Sequence, residues 1–251
     1  MGKFIIFAPV WNDMDWLEAM INQIDYWKPD LLCFCEGCFD KKYPARSTDG
    51  TREYLEEIVK HRDNTWLIDN TRENDYRTNS VNQCRKVCEL AEAKGGDWVM
   101  YQACDFYMLK KHIDIYKELM TQPHWHYPIF EIMNFWDSTE LYYSKWAEMA
   151  LNLPWRLVKD YTWEPICHLA KNGTLYNNHP KVVSRRLKVK GFHYEGFRNK
   201  ERLHQKYDVG NKSDRESPVT WKDGIKLKKR SKYTGEHPEF VIPVLQEKGY
   251  L

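Results

Sequence analysis

The sequence predicts an α/β fold: a mixed, mostly parallel sheet with helices on both faces and an irregular, basic C-terminal extension. Three observations carry this prediction. Short apolar runs at Phe4–Val10, Leu31–Cys35 and Trp98–Tyr101 have the length of buried strands, and helical stripes separate them. Glu36 ends the second run and Asp105 follows the third. Carboxylates at strand ends mark the carboxyl edge of an α/β sheet, where such sheets bind ligands. Between them, Ser47-Thr48-Asp49-Gly50-Thr51 reads as a loop entering a helix.

Residues 4–10 are the first strand. Over 14–26, apolar positions at Trp16, Leu17, Met20, Ile21 and Ile24 form one helical face, and Asp13 or Asn12 stands where a cap is needed. Pro29-Asp30 precedes the second strand, 31–35. A strand–helix–strand of this length is a βαβ unit, so its strands run parallel. A polar loop over 37–50 leads to a helix at 51–61, then a strand at 65–68. Val81, Cys84, Val87, Cys88, Leu90 and Ala91 make the stripe of a helix at 79–94, which Gly95-Gly96 stops. A strand at 98–102 and a helix at 109–121 follow. In the second half, 129–135 reads as a strand and 139–152 as a helix rich in aromatics. Short strands are expected within 154–170 and 173–193, and the tail from 211 to 235 is polar and turn-prone.

The chain has 251 residues, of which 42% are hydrophobic and 15% aromatic, enough for one large domain core. The 11 Trp and 16 Tyr exceed what a core needs, so some rings are candidates to line a cleft. No run approaches the ~20 apolar residues of a membrane span. The first apolar run lacks the flanks of a signal peptide. Seven cysteines without a secretory signal predict reduced thiols and a cytoplasmic location. Cys33 and Cys35 are expected on one strand face as ordinary buried thiols. Formal charge is +2, but residues 181–232 hold 17 Lys plus Arg against 6 Asp plus Glu. A basic segment on an acidic body suits an anionic partner: a diphosphate, a nucleic acid or an anionic membrane surface.

The order of strand, helix, strand, acidic residue, Ser-Thr-Asp-Gly-Thr, helix, strand and acidic residue resembles glycosyltransferases of the GT-A (Rossmann-like) fold, closest to the family 2-like enzymes. In that family the second strand ends in Asp-Asp-Gly-Ser-Thr-Asp-Gly-Thr. Here the block is split into Glu36-Gly37, Asp40, an insert, and Ser47 to Thr51. The family's next helix begins near an Arg and an Asn, as do Arg77, Asn79 and Asn82. Its DxD motif follows a strand like Trp98-Val99, as Asp105 does, although Ala103 stands where the first Asp is expected. His193-Tyr194-Glu195-Gly196-Phe197-Arg198, with Lys200 and Lys206 downstream, is similar to the family's His-aromatic segment. Gly235-Glu236-His237-Pro238 is similar to another of its motifs. The resemblance covers residues 3–108 well and 190–240 loosely.

The resemblance implies transfer of a sugar from a nucleotide-diphosphate donor, a UDP-sugar favoured, to a hydroxyl of a glycan or other acceptor. It implies a donor-binding half at 1–108, an acceptor half of the same domain at 109–210, and an extension at 211–251. Pro9, Asp13, Glu36, Asp49, Arg77, Asn79, Arg198 and Lys200 are the donor candidates. Asp105 and His193 are the candidate ligands for Mn2+ or Mg2+, with donor phosphates completing the shell. Glu131, a carboxylate inside an apolar run, and Asp137 are the candidate general bases, with Asp160 a further one. Trp125, Trp136, Trp155 and Trp163 are candidates for an acceptor platform. Two other readings stand beside this one. The basic segment and the aromatic surplus suit a transferase acting on hydroxymethylated DNA bases. The lost first Asp of DxD suits a noncatalytic nucleotide or nucleic-acid-binding module.

Overall fold

The computed structural model describes residues 2–122, 127–136, 138–148, 155–156, 184–198, 202, 205 and 230–251. Two five-stranded sheets organise them. The first has the order β3-β2-β1-β4-β8, built from β1 (Lys3–Val10), β2 (Leu31–Glu36), β3 (Thr65–Asp69), β4 (Gly96–Tyr101) and β8 (Trp155–Arg156). Its strands are parallel except β8, which runs antiparallel to β4. The predicted βαβ unit is present: α1 (Met14–Trp27) joins β1 to β2, and Ile5 faces Leu31 in parallel register. That register pairs Val10 with Glu36 and Glu36 with Asp69, so three strands end level.

Side-chain alternation along β1 divides the core. Phe4, Ile6 and Ala8 pack with Trp16, Leu17 and Met20 of α1. Ile5 and Phe7 point the other way, to Val87, Cys88 and Ala91 of α3 (Tyr76–Ala93). Both faces of the parallel sheet are thus covered by helices, as parallel sheets require. α2 (Thr51–Lys60) adds Leu55 to the α1 side. Cys33 and Cys35 share the α3 face as buried residues. Gly95, at φ +74, ends α3 where a left-handed residue is needed.

The second sheet has the order β10-β7-β6-β9-β5. It joins β5 (Phe106–Met108), β6 (Tyr127–Phe135), β7 (Leu141–Glu148), β9 (Ser184–His193) and β10 (Ser231–Lys232). β6 and β9 are parallel, and the other pairs are antiparallel. α4 (Lys110–Met120) packs Ile113 and Tyr116 into the main core. The expected helix at 139–152 is instead β7, paired with β6 from Phe135–Tyr142 to Ile129–Glu148. Tyr and Trp residues in this stretch favour a pleated surface, and pairing with the preceding strand decides between two compatible patterns. Of the strands expected within 154–193, β8 and β9 are present; residues 157–183 lie outside the described set.

The C-terminal residues 230–251 are integrated into this core. β10 pairs with β7, and Phe240, Val241, Val244 and Leu245, in and around α5 (Ile242–Glu247), join the main cluster. Tyr194 and Phe192 stack on Phe135, while Tyr233 and His237 meet Phe135 edge-on. Among the described residues, no helix is long and apolar enough to cross a membrane.

Candidate active site

The Ser47–Thr51 loop links two strand-end loops. Ser47 Oγ accepts the Asn12 N–H at 2.9 Å, and Thr51 Oγ1 accepts the Asp13 N–H at 3.1 Å. Asp49 accepts from Met14 N at 3.1 Å and Thr51 N at 3.1 Å. Asn12 Oδ1 returns the contact by accepting Thr48 N–H at 2.8 Å. The small hydroxyls and carboxylates of this sequence therefore replace the backbone partners that two irregular segments lack. Gly37 begins the insert at φ +114, where a Cβ would lie 2.4 Å from the Ala45 carbonyl oxygen, so only glycine fits.

Glu36 is buried beneath this loop. Its Oε1 accepts Ser47 N–H at 2.7 Å and its Oε2 accepts from Arg52 at 3.1 Å. Arg52 also pairs with Glu56 and Asp69. Burial opposes its charge, but hydrogen bonds to Glu56, Asp69 and Glu36 outweigh that and hold it above its ordinary value. Glu36 thus anchors the loop and is not among the residues lining the adjoining cavity.

That cavity, of about 130 Å³, opens at the carboxyl ends of the parallel strands. Pro9, Trp11 and Asp13 line it from the end of β1, Asn70 from just beyond β3, and Asp105 from beyond β4. Arg198 and Arg202 line it as well. Arg198 sits between two buried carboxylates. Its Nε and Nη2 donate to Asp105 Oδ2 at 3.1 and 3.0 Å, and its Nη1 contacts Asp13. Burial, with the nearby charge of Arg202, pulls Arg198 down to about 9. Two adjacent carboxylates oppose that shift, so the guanidinium stays charged at neutral pH. Arg202 donates to the Asn12 carbonyl at 3.1 Å and lies over the Trp11 ring at 4.6 Å. Burial lowers it too, against the field of Asp105.

The backbone on either side of Asp105 is held by amide side chains from α1 and from just beyond β4. Gln23 donates to Gln102 Oε1 and the Phe106 carbonyl, and accepts Met108 N–H at 2.7 Å. Gln102 donates to the Ala103 and Phe106 carbonyls. β5 then pairs Phe106 with His193, which brings His193 Nε2 to 3.5 Å from Asp105 Oδ1. His193 Nδ1 lies 3.0 Å from Asn134 Oδ1 on β6. An Nδ1–H donated there leaves Nε2 with its lone pair facing Asp105, the tautomer of a metal ligand. Asp105 Oδ1 and His193 Nε2 therefore fit a divalent cation as two adjacent ligands. No group of three His, Cys, Asp or Glu ligands occurs among the described residues.

The structure brings Pro9, Asp13, Asp105 and Arg198 to one cavity, with His193 beside Asp105. Asp49 serves the loop link, and Asn79, fully buried, donates to the Phe39 and Asn74 carbonyls. Glu131 lies on β6 three residues before Asn134, on the opposite strand face by alternation, and does not line the cavity. Arg77 falls in α3. Trp136 follows β6, and Trp155 lies in β8 against Val99. Trp125, Asp137, Asp160, Trp163 and Lys200 lie outside the described residues, as does most of the basic segment.

Sequence reasoning missed Trp11, Asn70 and Arg202. Asn70 directly follows the third strand, so the strand-end rule used for Glu36 also reaches it. Arg202 follows Arg198 within the His193–Arg198 neighbourhood that the sequence already singled out, but no strand-end or motif position marks it.

No protein-family model and no curated protein sequence matches the chain. Among solved structures it is similar to S. aureus TarS, with 15% identity, 55% of this chain and 22% of that chain covered, and a TM-score of 0.35. Against TarS 1–349 the identity is 12%, with 82% of this chain and 63% of that chain covered, at a TM-score of 0.42. Against a glycosyltransferase involved in the glycosylation of the major capsid of PBCV-1 it is 9%, over 81% of this chain and 98% of that chain, with a TM-score of 0.36. The chain thus spans less than two thirds of the length of the TarS chains. Likenesses at this distance carry no argument about activity.

Proposed function

We propose that the chain is a glycosyltransferase of the GT-A type that moves a sugar from a nucleotide-diphosphate donor to an acceptor hydroxyl. One observation carries the reading. A single cavity at the carboxyl edge of the parallel sheet gathers Asp13, Asp105, Arg198 and Arg202, with His193 behind Asp105. A diphosphate needs cations that a dry, fixed site can hold, and two buried arginines anchored by carboxylates meet that need.

In this reading the acceptor oxygen bonds to the anomeric carbon as the bond from that carbon to the phosphate oxygen breaks. The bonding pair leaves with the diphosphate, and a base takes the hydroxyl proton. Arg198 and Arg202 face the charge that builds on the diphosphate. Asp105 and His193 would hold Mn2+ or Mg2+, which when bound supplies further positive charge to the leaving group. Asp13 and Asp105 fix the guanidinium of Arg198. Asp137, three residues after Asn134 in the sequence, is our choice of base.

A panel of UDP- and GDP-sugars, assayed for donor hydrolysis with and without Mn2+, tests the proposal. Turnover that disappears in Asp105→Asn supports it. No turnover with any donor rejects it and leaves a binding module.

A further inference from the structure

A second cavity, of about 330 Å³, shares no lining residue with the one above. It is a groove between α1 and α5. Trp16, Leu17 and Met20 of α1 are spent on the core, while Met14, Glu18 and Asn22 recur along its exposed side. These three line the groove from α1, and Phe240, Val244 and Glu247 line it from α5 and the residues just before that helix.

The lining is divided by depth. Its buried members, Ala19, Phe240 and Val244, are apolar. Its exposed members include three carboxylates, Asp15, Glu18 and Glu247, on both walls. Asp15 accepts from Lys248 Nζ at 2.5 Å. Glu18 and Glu247 have no ion-pair or side-chain hydrogen-bond partner among the described residues. Lys110 stands over the Phe240 ring at 5.3 Å but does not line the groove. Met14, at the same groove, is one of five large hydrophobic side chains exposed among the described residues. An apolar floor beneath uncompensated negative charge leaves two costs unmet, exposed apolar surface and like-charge repulsion.

One class of occupant offsets both. Along α1 the lining runs from Met14 to Asn22, which at 1.5 Å per residue is roughly 12 Å, or about two helical turns. A cleft of this kind accepts the apolar face of an amphipathic helix. Carboxylates on both walls select cations on both flanks of that face. We propose that the groove docks a short helical segment of a partner protein, with leucine-like side chains on the apolar floor and Lys or Arg against Glu18 and Glu247. The proposal is independent of the transferase reading.

The test is fluorescence anisotropy of a labelled Lys/Leu peptide of about three helical turns, its leucines three and four residues apart, titrated with the full chain. Replacing the leucines with serine should weaken binding about tenfold or more, the factor that burial of one leucine is worth. Replacing the lysines with glutamate should abolish it. Glu18→Lys with Glu247→Lys should weaken the Lys/Leu peptide about tenfold, because each change turns an attraction into a repulsion. Glu89→Lys with Glu92→Lys makes the same change in net charge at exposed positions of α3, on the other face of the sheet, and should leave binding unchanged. Equal losses in the two pairs overturn the proposal, since attraction would then be to net charge alone. Equal binding of the serine peptide overturns it, as does no binding of the Lys/Leu peptide. Displacement of the peptide by an equal concentration of spermidine assigns the groove to a small organic cation. Self-association in sedimentation that Glu18→Lys with Glu247→Lys abolishes assigns it to a second copy of this chain. Both outcomes overturn the partner segment.

Discussion

Replacing Arg198 with methionine tests the architecture of the site most directly. The substitution keeps an unbranched, space-filling side chain and removes the cation between Asp13 and Asp105, whose side chains are 5% and 2% exposed. At an effective dielectric near 20, each opposed pair at about 4 Å is worth roughly 4 kcal/mol. Desolvation of the ions consumes much of that in the intact protein. In the variant, the two carboxylates keep their desolvation cost and lose the guanidinium that lies between them, while Arg202 stays 3.7 Å from Asp13 and His193 3.5 Å from Asp105. Removing one member of a buried ion pair typically costs about 3–5 kcal/mol. For a chain of 251 residues that lowers the unfolding midpoint by about 6–10 °C. Adding Asp105→Asn to Arg198→Met should restore part of the loss, because it removes one of the two buried negative charges. Urea and thermal unfolding followed by circular dichroism measure both. A loss under about 1 kcal/mol, or no recovery in the double variant, would refute the claim that this triad is a buried, mutually dependent unit.

Three further outcomes are expected. His193→Ala should raise the Mn2+ concentration needed for half-maximal turnover, and Asn134→Ala should do so by about tenfold through loss of the ring's orientation; a metal titration checks both. Ser47→Ala removes the acceptor of the Asn12 N–H and should cost about 1 kcal/mol in urea unfolding. His237, whose Nδ1 faces the Tyr194 hydroxyl at 2.7 Å, is held below its ordinary 6.5 by burial, against a raising contact from the Thr139 backbone. The unfolded chain then binds this proton at higher pH than the folded one. Its stabilising effect is complete above about pH 6.5 and declines as pH falls below it. His112, also lowered by burial, has the same sign. Comparing urea midpoints at pH 7.5 and 5.5 in the unaltered chain and in His237→Phe isolates the His237 part, and an unchanged difference would reject it.

The first half of the fold was legible because its signals are local. Strands β1, β2 and β4 are short apolar runs, α1 carries its stripe within four turns, and Gly95 stops α3 where expected. The second half was less so. Leu141–Glu148 has aromatic content compatible with either period, and only its pairing with β6 makes it a strand. The same limit governs the site. Strand-end position marked Glu36 and Asp105 as a pair of like residues, yet they differ in role. Arg52 and the Ser47 amide occupy Glu36, whereas Asp105 faces the cavity beside His193.

The sequence by itself determined the βαβ start, the covering of the parallel sheet on both faces and the loop that begins at Ser47. It also determined that carboxylates would gather at one sheet edge. Periodicity and strand-end placement are properties of neighbouring residues, and a chain displays them without folding. Only the tertiary structure decided that Ser47–Thr51 ties two loops together, and that Arg198, 93 residues beyond Asp105, supplies its counter-charge. It alone set Trp11 and Asn70 at one cavity. Those facts depend on strand order and on which buried groups find partners, and no local pattern carries that information.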